Sequence, residues 1–174
     1  MKKSDLIVLP DYFDRYINLV DDVDINLALE KFGENLILNE KKFLIEIGNK
    51  IYQDDKWSIK DILQHIIDTE RIFTYRALSF ARKDKTSLPS FNENNFAKYA
   101  NANNRELDDL IHEFKCVRDS SIQLFKSFND ENLLEIGISF NKEISVLAIG
   151  FTMVGHLLHH LNIIKERYYP LINL

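Results

Sequence analysis

Few residues in this chain can end a helix. The 174 residues include only five glycines and three prolines, whereas an all-β protein of this length would need frequent turns built on such residues. Leu, Ile, Glu, Lys and Asn dominate the remainder, and apolar side chains recur at helical spacing. The sequence therefore predicts an all-α protein.

Four long segments carry this spacing, and we expect them to form a four-helix bundle. The second segment begins with a helix-start signal in "WSIKDIL", where Ser58 is the N-cap, Asp61 occupies the N3 position and Trp57 packs on Ile62. Pro170 cannot continue the fourth segment and sets its end. The predicted helices run from about 24 to 50, from 58 to 82, from 104 to 128, and from 145 to just before 170.

The connection after the second helix is long. Residues 83–104, "KDKTSLPSFNENNFAKYANANN", gather Pro89 with many Asn, Ser and Thr residues, which favour turns, and a short helix is expected over 91–99. We interpret this segment as a crossover within one domain that covers residues 1–174. One side of the first helix is predicted to face the core through Leu27, Phe32, Leu36, Phe43 and Ile47.

Charge and cysteine content exclude several classes of protein. A net charge of −5 gives no basic footprint for nucleic acid. The single cysteine, Cys116, cannot form an internal disulfide and is predicted to be a buried, inert thiol. No signal peptide is recognisable, and the apolar run 144–154 is too short to span a bilayer. We therefore expect a cytoplasmic protein that binds neither nucleic acid nor membranes.

The histidines are the residues that suggest chemistry. On a helical wheel His156 and His160 lie on the apolar arc of the fourth helix, whereas His159 points elsewhere. His65 lies at the border of the apolar arc of the second helix, and His112 is expected at the surface. If the second and fourth helices are neighbours, three neutral imidazoles converge, which suits zinc, nickel, cobalt or iron(II) with an open position for water or substrate.

Other interpretations of these histidines stay open. An HxxxH pair in a helix often arises by chance, and core histidines can be satisfied by hydrogen bonds alone. Burial of an unpaired imidazole costs about 1–3 kcal/mol, so either a metal or defined hydrogen bonds must offset that cost. A zincin-type HExxH site is disfavoured because Leu157 stands where its glutamate would be. Neither a glycine-rich phosphate loop nor the ExxH pairs of di-iron bundles are present in the sequence.

Two segments together resemble a known family. "KWSIKDILQHIIDTERIFTYRALSFAR" and, about ninety residues later, "GHLLHHLNIIKERYYP" are similar to the DinB/YfiT-like superfamily of metalloenzymes, and the likeness extends over nearly the whole chain, including "LPSFNENNFA". The resemblance implies a bundle with up-down-down-up topology and is compatible with a homodimer. It also implies a divalent metal bound by one histidine of the second helix and two of the last, here His65, His156 and His160.

Characterised members of this family include transferases that use low-molecular-weight thiols such as bacillithiol or mycothiol, a thiol-dependent isomerase, and proteins described as hydrolases. The leading hypothesis is therefore a metal-dependent thiol transferase acting on a small-molecule substrate, with zinc or nickel as the first choice of metal and iron or cobalt as alternatives. Arg76 and Thr69 are candidate substrate-binding residues, and Asp68 is a candidate to orient a ligand.

Two further hypotheses remain. The same metal would equally serve a hydrolase by activating water. The third hypothesis is a non-catalytic, stress-associated helical protein that has a structural metal or no metal. This chain carries Leu157 where many relatives are expected to carry glutamate, so a proton-transfer role for that carboxylate is in doubt.

Overall fold

The longest helix begins where the sequence predicts. The computed structural model describes residues 1–172, and in it helix α4 spans Ile59–Ala81. The Ser58 hydroxyl accepts a hydrogen bond from the Asp61 backbone N–H at 3.2 Å, and the Asp61 carboxylate accepts one from the Ser58 N–H at 3.0 Å. This capping box satisfies two backbone donors that the helix itself leaves free and fixes the start of α4.

The other elements surround this helix and the last long one. Before α4 lie α1 (Asp14–Ile17), α2 (Ile25–Lys31) and α3 (Asn35–Ile47), and after it come α5 (Glu93–Ala100), α6 (Leu107–Lys126), α7 (Asp130–Leu134) and α8 (Val146–Ile163). The strands β1 (Ile136–Ser139) and β2 (Lys142–Ser145) precede α8. Short 3₁₀ turns cover Lys3–Asp5, Ala102–Asn104 and Tyr169–Leu171, and a π-helical turn covers Ile164–Tyr168.

The first predicted helix is interrupted, which corrects the expectation of one helix over 24–50. Leu27 in α2 and Phe43 in α3, both predicted to face the core, are 51% and 39% exposed. Arg118 stabilises the break because its Nη1 donates to the carbonyl of Phe32. Ile47 is buried as predicted, and Phe32 and Leu36 pack partly buried against the core. The other buried side chains of the two helices are Ile25, Ala28, Leu29, Ile37 and Leu44.

A small β-hairpin qualifies the all-α prediction. Strands β1 and β2 pair antiparallel, with Ile136 opposite Ser145 and Ser139 opposite Lys142. Phe140 and Asn141 form the turn with φ of 58° and 56°, the left-handed conformation that a two-residue hairpin turn requires. The connection after α4 joins this hairpin, because the backbone N–H of Leu88 donates to the carbonyl of Ile138 at 2.9 Å.

Helix α8 forms the centre of the molecule. It packs on α4, α1 and α2, and α4 also packs on α6. With its extension, Val146–Leu171, it is long and apolar enough to cross a membrane, but 78% of its apolar window is buried inside the protein. Because it is buried by other parts of residues 1–172, α8 is the core helix of the bundle that these residues form. One apolar cluster gathers around Phe73, Phe125 and Met153, and a second around Ile66, Phe114 and Leu161.

The exposure predicted for two residues of α6 is right for one and wrong for the other. His112 is exposed, as predicted. Cys116 is exposed as well, which shows that the prediction of a buried thiol is wrong. The Cys116 Sγ lies 3.7 Å from His112 Nε2, one helical turn away on the outer face of α6.

Candidate metal centre

Three imidazole nitrogens from two helices meet inside the bundle. His156 Nε2 lies 3.1 Å from His65 Nε2 and 3.1 Å from His160 Nε2. One ligand atom from each ring lies within 4.8 Å of the others. The juxtaposition arises because α4 and α8 are packed neighbours and because His156 and His160 are one turn apart on the same face of α8.

Neighbouring side chains fix the orientation of His65. The Thr69 hydroxyl, one turn along α4, lies 3.4 Å from His65 Nδ1, on the side of the ring opposite to the cluster. The Trp57 ring packs against the His65 ring at a centroid distance of 4.7 Å. These contacts hold the ring so that Nε2, the remaining nitrogen, faces His156 and His160.

Burial keeps the three rings neutral. Desolvation, followed by the charge of His159, lowers the pKa of His65 to about 4. Desolvation is also the first cause that lowers the pKa of His156 and of His160 well below the ordinary histidine value. At pH 7 each ring is therefore uncharged, the state in which imidazole binds a metal.

The donor set fits a divalent transition metal better than it fits a hydrogen-bonded cluster. A neutral ring nitrogen carries either one N–H or one lone pair. Among three Nε2 atoms that face each other, one N–H···N bond can form and one nitrogen is left without a partner in the cluster. A metal accepts a lone pair from all three at once. Metal–imidazole bonds of about 2.0–2.1 Å place ligand nitrogens roughly 3 Å apart, and the two observed separations of 3.1 Å have this size.

The histidines form part of the wall of a cavity of about 310 Å³. This volume is at the lower end of the range for small-molecule sites. The wall is strongly aromatic, and its charged side chains are Arg15, Arg76 and Glu93. The cavity gives the three nitrogens access to a ligand, so the site is built as an open centre.

The structure brings some of the predicted site residues to this cavity and places others elsewhere. Thr69 and Arg76 both line it. Asp68, expected to orient a ligand, instead accepts a hydrogen bond from Gln64 Nε2 at 3.0 Å and lies 3.7 Å from the Arg71 guanidinium. Thr69 is the residue that contacts the far side of His65.

The geometry changes the expectation about His159 and shows where Leu157 lies on α8. His159, predicted to point away from the other histidines, lines the same cavity, and its ring centroid is 5.2 Å from that of His160. Leu157 is fully buried in the apolar cluster around Leu161. The side chain after His156 thus faces the core and does not line the cavity.

Sequence reasoning missed α1 and its Tyr16. The Tyr16 ring packs edge-on against His156 and His159, with centroids 5.3 and 5.2 Å away, and covers one side of the histidine cluster. A Cβ built on Gly155 would lie 2.0 Å from the Tyr16 carbonyl oxygen. The glycine directly before His156 was the available signal for such a close backbone approach.

Gly155→Ala is expected to displace α1 and to lower the free energy of unfolding by about 1–3 kcal/mol, because backbone must move to admit the methyl group. Urea denaturation measures the change. Gly33→Ala is the matched control, since a Cβ there would meet nothing closer than the Glu30 carbonyl oxygen at 3.5 Å. The control is expected to be neutral or up to about 1 kcal/mol more stable. Equal stability of the two variants would contradict the close approach of α1 to α8.

The fold and the site together define a class of protein: a mostly helical bundle that presents three converging histidines to an open cavity. A family model confirms this classification, because residues 46–164 match the DinB superfamily. The chain belongs to the DinB superfamily. All three histidines fall within the matched residues.

A solved structure shows the same fold. The chain is similar to YfiT from Bacillus subtilis, described as a probable metal-dependent hydrolase with an unusual four-helix bundle topology, with a TM-score of 0.69 and 13% sequence identity. The similarity covers 96% of this chain and 91% of YfiT. No curated protein sequence matches the chain. At this identity the likeness establishes the bundle fold and leaves the reaction to be argued from the site.

Proposed function

We propose that this protein is a metal-dependent hydrolase of a small-molecule substrate, with His65, His156 and His160 as the ligands of one divalent transition metal. The observation that carries the proposal is the convergence of three neutral imidazole nitrogens at the wall of an open cavity. A metal held by three imidazoles with an open position supplies Lewis acidity and activates water near neutral pH. The description of YfiT as a hydrolase supports this reaction class.

The chain's own residues prepare the site in three ways. Thr69 and Trp57 hold His65 with Nε2 facing the other two rings. Burial by α1, through Tyr16, keeps His156 desolvated and neutral. The aromatic wall offers a surface on which an apolar substrate can pack.

Thiol transfer remains the alternative reaction at the same centre. Cys116, the chain's single cysteine, lies on the outer face of α6 and does not line the cavity. A transferase would therefore need an external low-molecular-weight thiol, which would enter the cavity and bind at the open position. The two reactions share their ligands and differ in whether turnover requires the added thiol.

The test begins with protein purified without chelators. Elemental analysis is expected to give about one transition metal per chain, with zinc or nickel expected first. Hydrolysis of a panel of activated esters and amides is then measured with and without a thiol panel. Removal of the metal is expected to lower kcat/KM at least about 100-fold, because Lewis-acid activation contributes several kcal/mol, and re-addition should restore it.

The outcomes separate the hypotheses. Turnover that needs both metal and thiol would replace the hydrolase by the transferase. Stoichiometric metal without any turnover would favour a binding protein. Absence of stoichiometric metal, together with activity that survives chelation, would refute the metal-dependent mechanism.

A further inference from the structure

Arg76 is a buried cation that faces the cavity without a carboxylate partner. Its side chain is only 4% exposed, and it lines the cavity wall. Its Nη2 donates to the Pro89 carbonyl at 2.8 Å, and none of the ion pairs within residues 1–172 includes Arg76. An arginine has five N–H donors, so most of this guanidinium's donors are free for a ligand.

The position of this charge has an energetic consequence. Desolvation lowers the pKa of Arg76 but leaves the group protonated, because arginine titrates far above neutral pH. A buried charge is costly unless a counter-charge accompanies it. The nearby Phe73 ring, 5.4 Å from the guanidinium carbon, offsets only part of that cost. An anionic group bound in the cavity would supply the missing counter-charge.

The rest of the cavity suits a flat apolar body. Seven of its sixteen lining residues are aromatic apart from the histidines, and Phe73, Phe91 and Phe140 are among them. Arg76 lies eleven residues after His65 on α4, which corresponds to roughly 16 Å along the helix axis. The side chain of a helical residue leans toward the N-terminus, here toward the histidines. Arg76 and the candidate metal centre therefore lie at separate places on the wall of one cavity.

The geometry points to an aromatic carboxylate as the substrate class, with the carboxylate bound by Arg76 and the reactive group presented to the histidines. This inference rests on the proposed function for its reaction, but the binding step requires only Arg76 and the aromatic wall. Arg15 and Glu93 of the cavity wall are exposed, so Arg76 is its one buried guanidinium, and a single buried positive charge favours a carboxylate over a phosphate dianion. The planar guanidinium also matches the two oxygens of a carboxylate.

The test uses Trp57, the single tryptophan of the chain, as a reporter inside the cavity. Changes in its fluorescence give the Kd of benzoate, phenylacetate and 2-naphthoate, of the matching neutral amides, and of phenyl phosphate. Each titration is run on metal-free and on zinc-loaded full-length protein. We expect at least one carboxylate to bind the metal-free wild type about 10- to 100-fold tighter than its amide, the size of a charge-assisted hydrogen-bonded pair.

Variants assign that preference to Arg76. Arg76→Met is expected to bring the Kd values of the acid and the amide together, and Arg76→Lys to retain part of the preference. Arg82→Met is the matched control, because Arg82 is exposed at the end of the same helix and lies outside the cavity. The readout is the ratio of the Kd of the amide to the Kd of the acid. If Arg76→Met only disturbed the packing of the cavity, acid and amide would both bind more weakly and this ratio would stay unchanged.

Several results would overturn the inference. One such result is that the metal-free wild type binds every acid and its amide with equal affinity. Another is that the metal-free wild type binds phenyl phosphate more tightly than it binds any of the carboxylates. A preference that survives in both Arg76→Met and Arg76→Lys would also overturn it, as would one that appears only when zinc is bound. Failure of zinc binding with the acid preference intact would contradict the proposed hydrolase and leave the anion site standing.

Discussion

His156→Ala is expected to abolish metal binding, because His156 supplies the central nitrogen of the cluster. Its Nε2 is the atom that lies 3.1 Å from both other Nε2 atoms. Cobalt(II) or nickel(II) added to metal-free wild type should quench the fluorescence of Trp57, whose ring lies 4.7 Å from the His65 ring. We expect the variant to show less than about a tenth of the wild-type metal content and to lose the saturable quenching.

The same substitution should remove the stabilisation that metal binding confers. A ligand at 100 times its Kd stabilises the folded state by about 2.7 kcal/mol. In a protein of this size 1 kcal/mol shifts Tm by about 2–4 °C, so metal should raise the wild-type Tm by about 5–10 °C. Each protein is compared with its own metal-free form, because loss of a buried ring also changes the stability of the apo state.

His112→Ala is the matched control for this experiment. It removes an imidazole from another long helix, but His112 is exposed on the outer face of α6. We expect its metal content, its quenching and its metal-dependent Tm shift to equal those of the wild type. Full metal content in His156→Ala, or an equal loss in His112→Ala, would show that the three-histidine cluster is not the metal site.

The histidine cluster was predictable because it depends on helical periodicity and on one packing contact. The 3.6-residue period of the α-helix places His156 and His160 on the face of α8 that meets α4. Helix α4 is long and uninterrupted, and His65 lies on it opposite these two residues. The capping box at Ser58 fixes the start of α4, and it could be recognised from the local sequence alone. Helical periodicity and helix caps can be read from nearby residues, and in this protein the tertiary packing agrees with them.

Other features depend on contacts between distant residues, which periodicity does not encode. The break after α2 is stabilised by Arg118, 86 residues away along the chain from Phe32. Helix α1 has only four residues and is held on α8 by the close approach at Gly155. The hairpin turn uses Phe140 and Asn141 in the left-handed region, where glycine would have given a clearer signal.

The cavity itself could not be predicted for the same reason. Its wall combines α1, α4, the crossover around Phe91, the hairpin turn and α8. The helical wheel assigned His159 to another face because it assumed a core on one side of α8 only. Helix α8 is instead surrounded by other elements, so a residue outside the main apolar arc still faces the interior.

Arg118→Met is expected to lower the free energy of unfolding by about 3–5 kcal/mol, because it leaves the Glu70 carboxylate buried without its partner. Glu70 and Arg118 are both only 2% exposed. Arg118 Nε and Nη2 each donate to one carboxylate oxygen of Glu70 at 2.7 Å. The Leu29 and Phe32 carbonyls at the break between α2 and α3 would lose their donor as well. Urea denaturation followed by circular dichroism measures the loss.

Two comparisons separate the cost of an orphaned buried charge from the loss of an ion pair as such. Lys126→Met breaks an exposed ion pair, which joins α6 to α2: Lys126 Nζ lies 2.7 Å from Glu30, and both side chains are 47% exposed, so we expect a change below about 1 kcal/mol. The double variant Glu70→Leu with Arg118→Met should recover most of the stability lost in Arg118→Met, since neither charge then remains buried. A double variant as unstable as Arg118→Met would instead assign the loss to the two carbonyls at the α2–α3 break, which would make Arg118 chiefly a cap for that break.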